Sequence, residues 1–96
     1  MTYEWDPVKA AVNAKKHRVS FEEAASVFLD PSAMTYWDPD HSEEEAREIT
    51  IGRSAPRRVL FVAHAAREGR IRIISARRAT RREQRQYEEQ RDETTP

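Results

Sequence analysis

The stretch Arg70-Ile71-Arg72-Ile73-Ile74-Ser75-Ala76-Arg77-Arg78-Ala79-Thr80-Arg81-Arg82-Glu83-Gln84-Arg85-Gln86-Tyr87 decides how this chain folds. Ile71, Ile73 and Ile74 are β-branched and interleaved with arginine, the pattern of a half-exposed strand. Thr80 followed three residues later by Glu83 is a capping box: the Thr80 hydroxyl accepts from the Glu83 N–H, and the Glu83 carboxylate accepts from the Thr80 N–H. The spacing predicts a strand running straight into a helix that begins at Arg81. Arg77, Arg78, Arg81 and Arg82 crowd the start of that helix, where the macrodipole is already positive. A local rule broken this consistently points to a functional site. An anion satisfies both the dipole and the arginines, and phosphate is the commonest one.

Working outward, residues 58–64 form the most apolar run and read as the central strand, joined to residues 70–78 by a turn at Glu68-Gly69. Residues 47–53 alternate as a further strand in which Gly52 marks a bend or bulge, and Ser54-Ala55-Pro56 turns the chain. Residues 33–37 make another strand, followed by a polar turn at Asp38-Pro39-Asp40-His41-Ser42. At the start, residues 1–5 read as an edge strand. Asp6-Pro7 opens a first helix with Val8, Ala11 and Val12 as its apolar stripe, and Lys15, Lys16 and His17 complement the dipole in its last turn. Ser20-Phe21-Glu22-Glu23 is a second capping box. The helix behind it runs to about Leu29, buries Phe21, Ala24, Ala25 and Phe28, and is stopped by Asp30-Pro31. The expected fold class is α+β: an antiparallel sheet of about four strands with helices packed on one face, two of them N-terminal and one C-terminal. Residues 1–90 make a single domain, and residues 91–96 a polar, frayed tail.

Composition narrows the function. Net charge is zero, but six acidic residues lie between Asp38 and Glu48, and eight arginines lie between Arg67 and Arg85, so a basic and an acidic patch cancel. Cysteine is absent, which excludes disulfides, thiolate metal sites and cysteine nucleophiles. No apolar run is long enough for a membrane span and no signal-peptide pattern opens the sequence, so the expected location is the cytoplasm.

Several of these pieces together resemble the BrnT-type toxins, the ribonuclease halves of BrnT/BrnA toxin–antitoxin pairs. The likeness rests on Glu4-Trp5-Asp6-Pro7, Lys16-His17, Val19-Ser20-Phe21-Glu22-Glu23-Ala24 and Phe28-Leu29-Asp30-Pro31. It continues through Ile49-Thr50-Ile51-Gly52, His64, and Arg70-Ile71-Arg72-Ile73-Ile74-Ser75-Ala76-Arg77 leading to Arg82-Glu83 and Tyr87. Arg18 departs from the pattern, in which a glycine would close the first helix with positive φ. The resemblance implies a RelE-like fold and a metal-independent endoribonuclease that halts translation. It also implies neutralisation by a BrnA-like antitoxin with a ribbon-helix-helix part, and contact with operator DNA only through that antitoxin. No cofactor is expected.

Metal-free cleavage of RNA needs a base for the ribose 2′-OH, a cation for the phosphate and an acid for the 5′-oxygen. Arg77 and Arg82 are the expected phosphate clamp. Glu83 or His64 is the candidate base; His64, Tyr87 or an arginine is the candidate acid. Lys16, His17, Arg72, Arg78, Arg81 and Arg85 are candidate RNA contacts. Plainer readings compete: Glu83 as capping carboxylate, Tyr87 as core tyrosine, His64 as a satisfied histidine in phase with Leu60 and Val62, and Arg81 and Arg85 as a solvated helix face. Asp38, Asp40 and His41 are too weak a pattern for a metal site and read as a solvated loop; should chelation matter, Glu43, Glu44 and Glu45 would join Asp38 and Asp40 as oxygen ligands. A non-catalytic nucleic-acid-binding module or a protein-interaction domain would use the same arginine patch.

Overall fold

The computed structural model describes residues 2–41 and 46–94. Its elements are β1 (Thr2–Glu4), α1 (Pro7–His17), α2 (Phe21–Ser26) continued by a 3₁₀ turn (Val27–Leu29), β2 (Met34–Trp37), a 3₁₀ turn (Pro39–His41), β3 (Arg47–Arg53), β4 (Val59–Arg67), β5 (Arg70–Arg78) and α3 (Arg81–Thr94). Among the described residues the strands form one sheet in the order β1-β5-β4-β3-β2, with β4 central as its apolar run predicts. The hairpin between β4 and β5 turns at Glu68 and Gly69, both with positive φ (51° and 77°), the geometry that matches strand twist. The sheet is mixed and five-stranded rather than antiparallel and four-stranded, because β1 pairs in parallel with β5. Residues 5–69 separate those two strands, so no hairpin forces them antiparallel.

Helices cover both faces, not one. On the first face Val19, Phe21, Ala24 and Val27 pack on Leu60, Val62, Ile73 and Ala76. On the second face Tyr87 of α3 packs with Ile49, Ile51, Val59 and Ala63. The capping box ends β5 and starts α3 as predicted: Thr80 N–H donates to Glu83 Oε1 (2.9 Å) and Glu83 N–H to Thr80 Oγ1 (3.2 Å). Helix α3 then runs past Gln90 to Thr94, where a frayed tail was expected.

The first helix overturns its apolar stripe. Val8 and Val12 are 71% and 59% exposed, and the residue turned inward is Asn13. Asn13 Nδ2 donates to Ala76 O (2.8 Å) and Val19 O (3.0 Å), while Oδ1 accepts from the Ala76 N–H (3.1 Å). Strand β1 covers the edge of β5 only at residues 70–72, so the Asn13 amide acts as strand partner further along. Arg18 ends α1 in the left-handed region (φ 57°, ψ 36°), taking the conformation a glycine would supply. The second capping box forms only in half. Ser20 Oγ accepts from Glu23 N–H (3.0 Å), but the Glu23 carboxylate is drawn to Ser54 Oγ (2.7 Å) and Arg58 Nε (2.9 Å).

Gly52 is not a bulge. A side chain there would place its Cβ 2.9 Å from the Ala33 Cβ and 3.3 Å from that of Val27, so glycine permits close packing of the 3₁₀ turn on β3. The bulge lies in β5, where Ala63 pairs with Ser75 and His64 with Ile73, leaving Ile74 over. It reverses the alternation. Ile71 and Ile73 face α1 and α2, but beyond Ile74 that face is taken by Ala76 and Arg78, and Arg77 turns to the other side opposite Phe61. Plain alternation, which groups Arg77 with Ile71 and Ile73, is corrected here.

If the Asn13 amide seals the edge of β5, Asn13→Ala strands three buried backbone groups. It should cost about 2–4 kcal/mol in urea unfolding, whereas Val12→Ala should stay within about 0.5 kcal/mol. Equal costs for the two would remove that role.

Candidate active site

An open groove of about 360 Å³ lies on the second face of the sheet. Its floor is Ile49, Phe61, Ala63 and Ser75, and its rim is Tyr36, Trp37, Asp38, His41 and Arg47. Tyr36 reaches the rim through its pairing with Ile49, and Trp37, the last residue of β2, borders the groove where the strand gives way to the turn. Phe61 of that floor also carries a cation: the Arg77 guanidinium carbon sits 3.9 Å from the centre of its ring, a cation–π seat for a charge that stays partly exposed. The guanidinium is forked onto Glu83, Nη1 to Oε1 at 2.8 Å and Nη2 to Oε2 at 2.9 Å, and Nη1 also donates to Arg78 O (3.1 Å).

The electrostatics follow from that fork. Burial pushes the Glu83 carboxyl up, but the Arg77 hydrogen bonds, the Thr80 N–H and the Arg77 charge outweigh it and hold the group below its ordinary 4.5. The bond to Glu83 raises Arg77 in turn. Tyr36 is raised by burial first, then by the charges of Glu83 and of Asp38, the residue just before the turn at Pro39–His41. That turn holds a second pair: His41 Nδ1 lies 3.1 Å from Asp38 Oδ2.

The other sequence candidates scatter. Arg78 lies on the opposite face, in register with Leu60 and within electrostatic reach of Glu23. His64 is also there, 4% exposed, with Nε2 2.7 Å from Thr50 Oγ1 and its ring edge-on to Phe28; burial lowers its basicity. It is the satisfied interior histidine, and the structure separates it from Arg77. Tyr87 is in the core, its hydroxyl donating to Asp30 Oδ2 (2.6 Å) and pushed up to about 12 by burial and that carboxylate. Neither is presented to the groove as an acid or base. Arg81 and Arg85 line the outer surface of α3 with Gln84 and Glu88. Arg82 is exposed on the first turn of α3. Arg72 sits at the β1 edge with Glu4, Asp6 and Arg67. Lys16 and His17 border Val8, Val12 and Ile74.

Of the residues that line the groove, sequence reasoning did not single out Tyr36, Trp37, Phe61 or Arg47, and it read His41 as part of a solvated loop. The available signal was two adjacent aromatics in a short strand followed by Asp38 and His41 three residues apart. Among the described residues no three His, Cys, Asp or Glu side chains converge as a metal site, and Ser42, Glu43, Glu44 and Glu45 lie outside them.

Fold and groove together define a small α+β domain whose sheet presents an arginine on an aromatic floor beneath a C-terminal helix. The chain belongs to the family described as the ribonuclease toxin BrnT of type II toxin–antitoxin systems, whose profile matches residues 5–83. The crystal structure of the Brucella abortus ribonuclease toxin BrnT shares the fold. It has a TM-score of 0.64 at 20% identity, covering 84% of this chain and 100% of that one. No curated protein matches the sequence. No helix among the described residues is long and apolar enough to cross a membrane.

A carboxyl held below its ordinary value in the fold contributes stability above that value and loses it as the pH falls. Glu83→Gln should therefore flatten the acid side of the stability curve below about pH 4.5, leaving the slope due to Glu23 and Asp30. Urea unfolding across that range checks it; parallel curves for parent and variant would remove Glu83 as a source of acid sensitivity.

Proposed function

We propose that this chain cuts RNA in the groove by attack of a ribose 2′-OH on the adjacent phosphate, without a metal ion. It would thereby inhibit translation in the cytoplasm until a BrnA-like antitoxin with a ribbon-helix-helix part covers it. Operator DNA would be reached through that partner alone. The observation that carries the reading is the Arg77 fork, seated on Phe61 at the groove floor and already holding a planar two-oxygen anion, Glu83. Carboxylate and phosphate present the same pair of acceptors to arginine, so a scissile phosphate can exchange with Glu83 for the fork. Arg77 then meets the charge that grows on the phosphate as the 2′-oxygen attacks.

Arg82 stands on the helix that brings Glu83 to the fork and is the second clamp candidate; Arg81 and Arg85 extend positive charge along α3. Tyr36 and Trp37, 42% and 54% exposed on the rim, offer stacking surfaces for bases. Glu83 suits the resting fork better than the base, because donors engage both its oxygens and stabilise its charged form. The same fork would accept an acidic segment of the antitoxin, as its grip on a carboxylate illustrates.

Arg77→Ala should lose about 2–4 kcal/mol of transition-state stabilisation. Arg77→Lys should stay impaired although the charge is kept, because the fork is gone. Cleavage should continue in EDTA. A lysine variant cutting at the parental rate would remove forked recognition, and loss on chelation with rescue by Mg²⁺ would remove the metal-free mechanism.

A further inference from the structure

We propose that His41 is the general base of the groove and that Asp38 is its positioning residue. The assignment rests on the RNA-cleaving reading above and deepens it. Among the described side chains that line the groove, His41 is the one imidazole, a group able both to accept and to donate a proton. The other two histidines are placed elsewhere: His64 is buried against Thr50 on the opposite face, and His17 borders Val8, Val12 and Ile74 on α1. His41 is exposed on the rim, where a substrate can reach it. Among the described residues, the charged and titratable groups that line the groove with it are Asp38 and Asp40 on its own turn, Tyr36 of β2 and Arg47 of β3.

The pairing with Asp38 fixes which nitrogen does the work. An ionised carboxylate only accepts, so the Nδ1 that faces Asp38 Oδ2 carries the ring proton, and the neutral ring keeps its lone pair on Nε2. This is the orientation a carboxylate imposes on a histidine base in a hydrolase triad. Asp38 is itself held by the chain: its backbone N–H donates to Arg47 O (3.0 Å), and its Oδ1 accepts from the Asp40 N–H (3.2 Å). The turn therefore presents Nε2 from a built position.

The step balances without a cofactor. His41 Nε2 takes the proton of the 2′-OH as that oxygen's electron pair forms the new bond to phosphorus. The bond from phosphorus to the 5′-oxygen breaks, and the leaving oxygen takes a proton from water. The imidazolium returns its proton to the hydroxide left behind. The products are a 2′,3′-cyclic phosphate and a 5′-hydroxyl.

The test uses the full chain and a single-stranded RNA oligonucleotide, with the 2′-O-methyl version of the same strand as uncleavable binding probe. His41→Ala should slow cleavage by about 10²–10⁴-fold while leaving affinity for the 2′-O-methyl strand unchanged. Added imidazole should restore part of the rate in His41→Ala and none in Arg77→Ala. Asp38→Asn should slow cleavage with the same unchanged affinity, and His41→Gln should not recover the rate. A parent that cuts beside a His41→Ala that cuts equally fast overturns the assignment alone. So does a loss of rate matched by loss of affinity, or one that imidazole does not relieve. A parent that binds the RNA without cutting it overturns the ribonuclease reading itself.

Discussion

The groove depends on one extra residue. Ile74 is left over when Ala63 pairs with Ser75 and His64 with Ile73, and from there on every β5 side chain has changed face. Without that slip Arg77 would stand opposite Leu60 on the α1 and α2 side, and Ala76 would stand opposite Phe61. The Phe61–Arg77–Glu83 stack exists because the bulge comes before Arg77 and the capping box comes directly after Arg78. The first feature aims the guanidinium, and the second brings a carboxylate to meet it from the opposite end of the same connection.

Two arginine–carboxylate pairs show how similar chemistry serves different ends. Glu23 and Arg58 join α2 to the approach to β4, with Ser54 donating to the same carboxylate and Arg58 also donating to Arg18 O (3.0 Å). Both partners are fixed by covalent neighbours that pack into the core, so this pair fastens elements together. Arg77 and Glu83 meet instead on the ring of Phe61, which also forms part of the floor of an open groove. A pair sheltered this way adds little net stability because desolvation offsets attraction. On the proposed reading, that position lets a phosphate compete with Glu83 for the fork.

Polar groups also settle how the sheet ends. Strand β1 is too short to cover β5, and a buried asparagine from α1 completes the edge by pairing with both backbone groups of Ala76. That arrangement leaves Val8 and Val12 outside, against the usual sense of an amphipathic helix. Satisfying the backbone outweighs burying two valines, because an unpaired buried N–H or C=O costs more than an exposed side chain gains.

Local signals carried much of the fold. The Thr80–Glu83 box, the Asp6-Pro7 start, the apolar run of β4 and the Glu68-Gly69 turn are set by neighbours within a few residues, so the sequence by itself determined them, together with the family resemblance. Half of the Ser20 box failed because Arg58, distant in sequence, captured the Glu23 carboxylate. In the candidate site, Arg77, Arg78, Arg81 and Arg82 were legible as an arginine cluster and Glu83 as its capping carboxylate, but not that Arg77 and Glu83 would pair. The burial of His64 against Thr50 was not legible, since phase along a strand cannot tell which face will be covered or what hydroxyl waits there. Tertiary structure alone decided the face of Arg77, the inward turn of Asn13, the burial of His64 and Tyr87, and the groove rim. Each of these depends on pairing register and on partners far away in the chain, which no local pattern encodes.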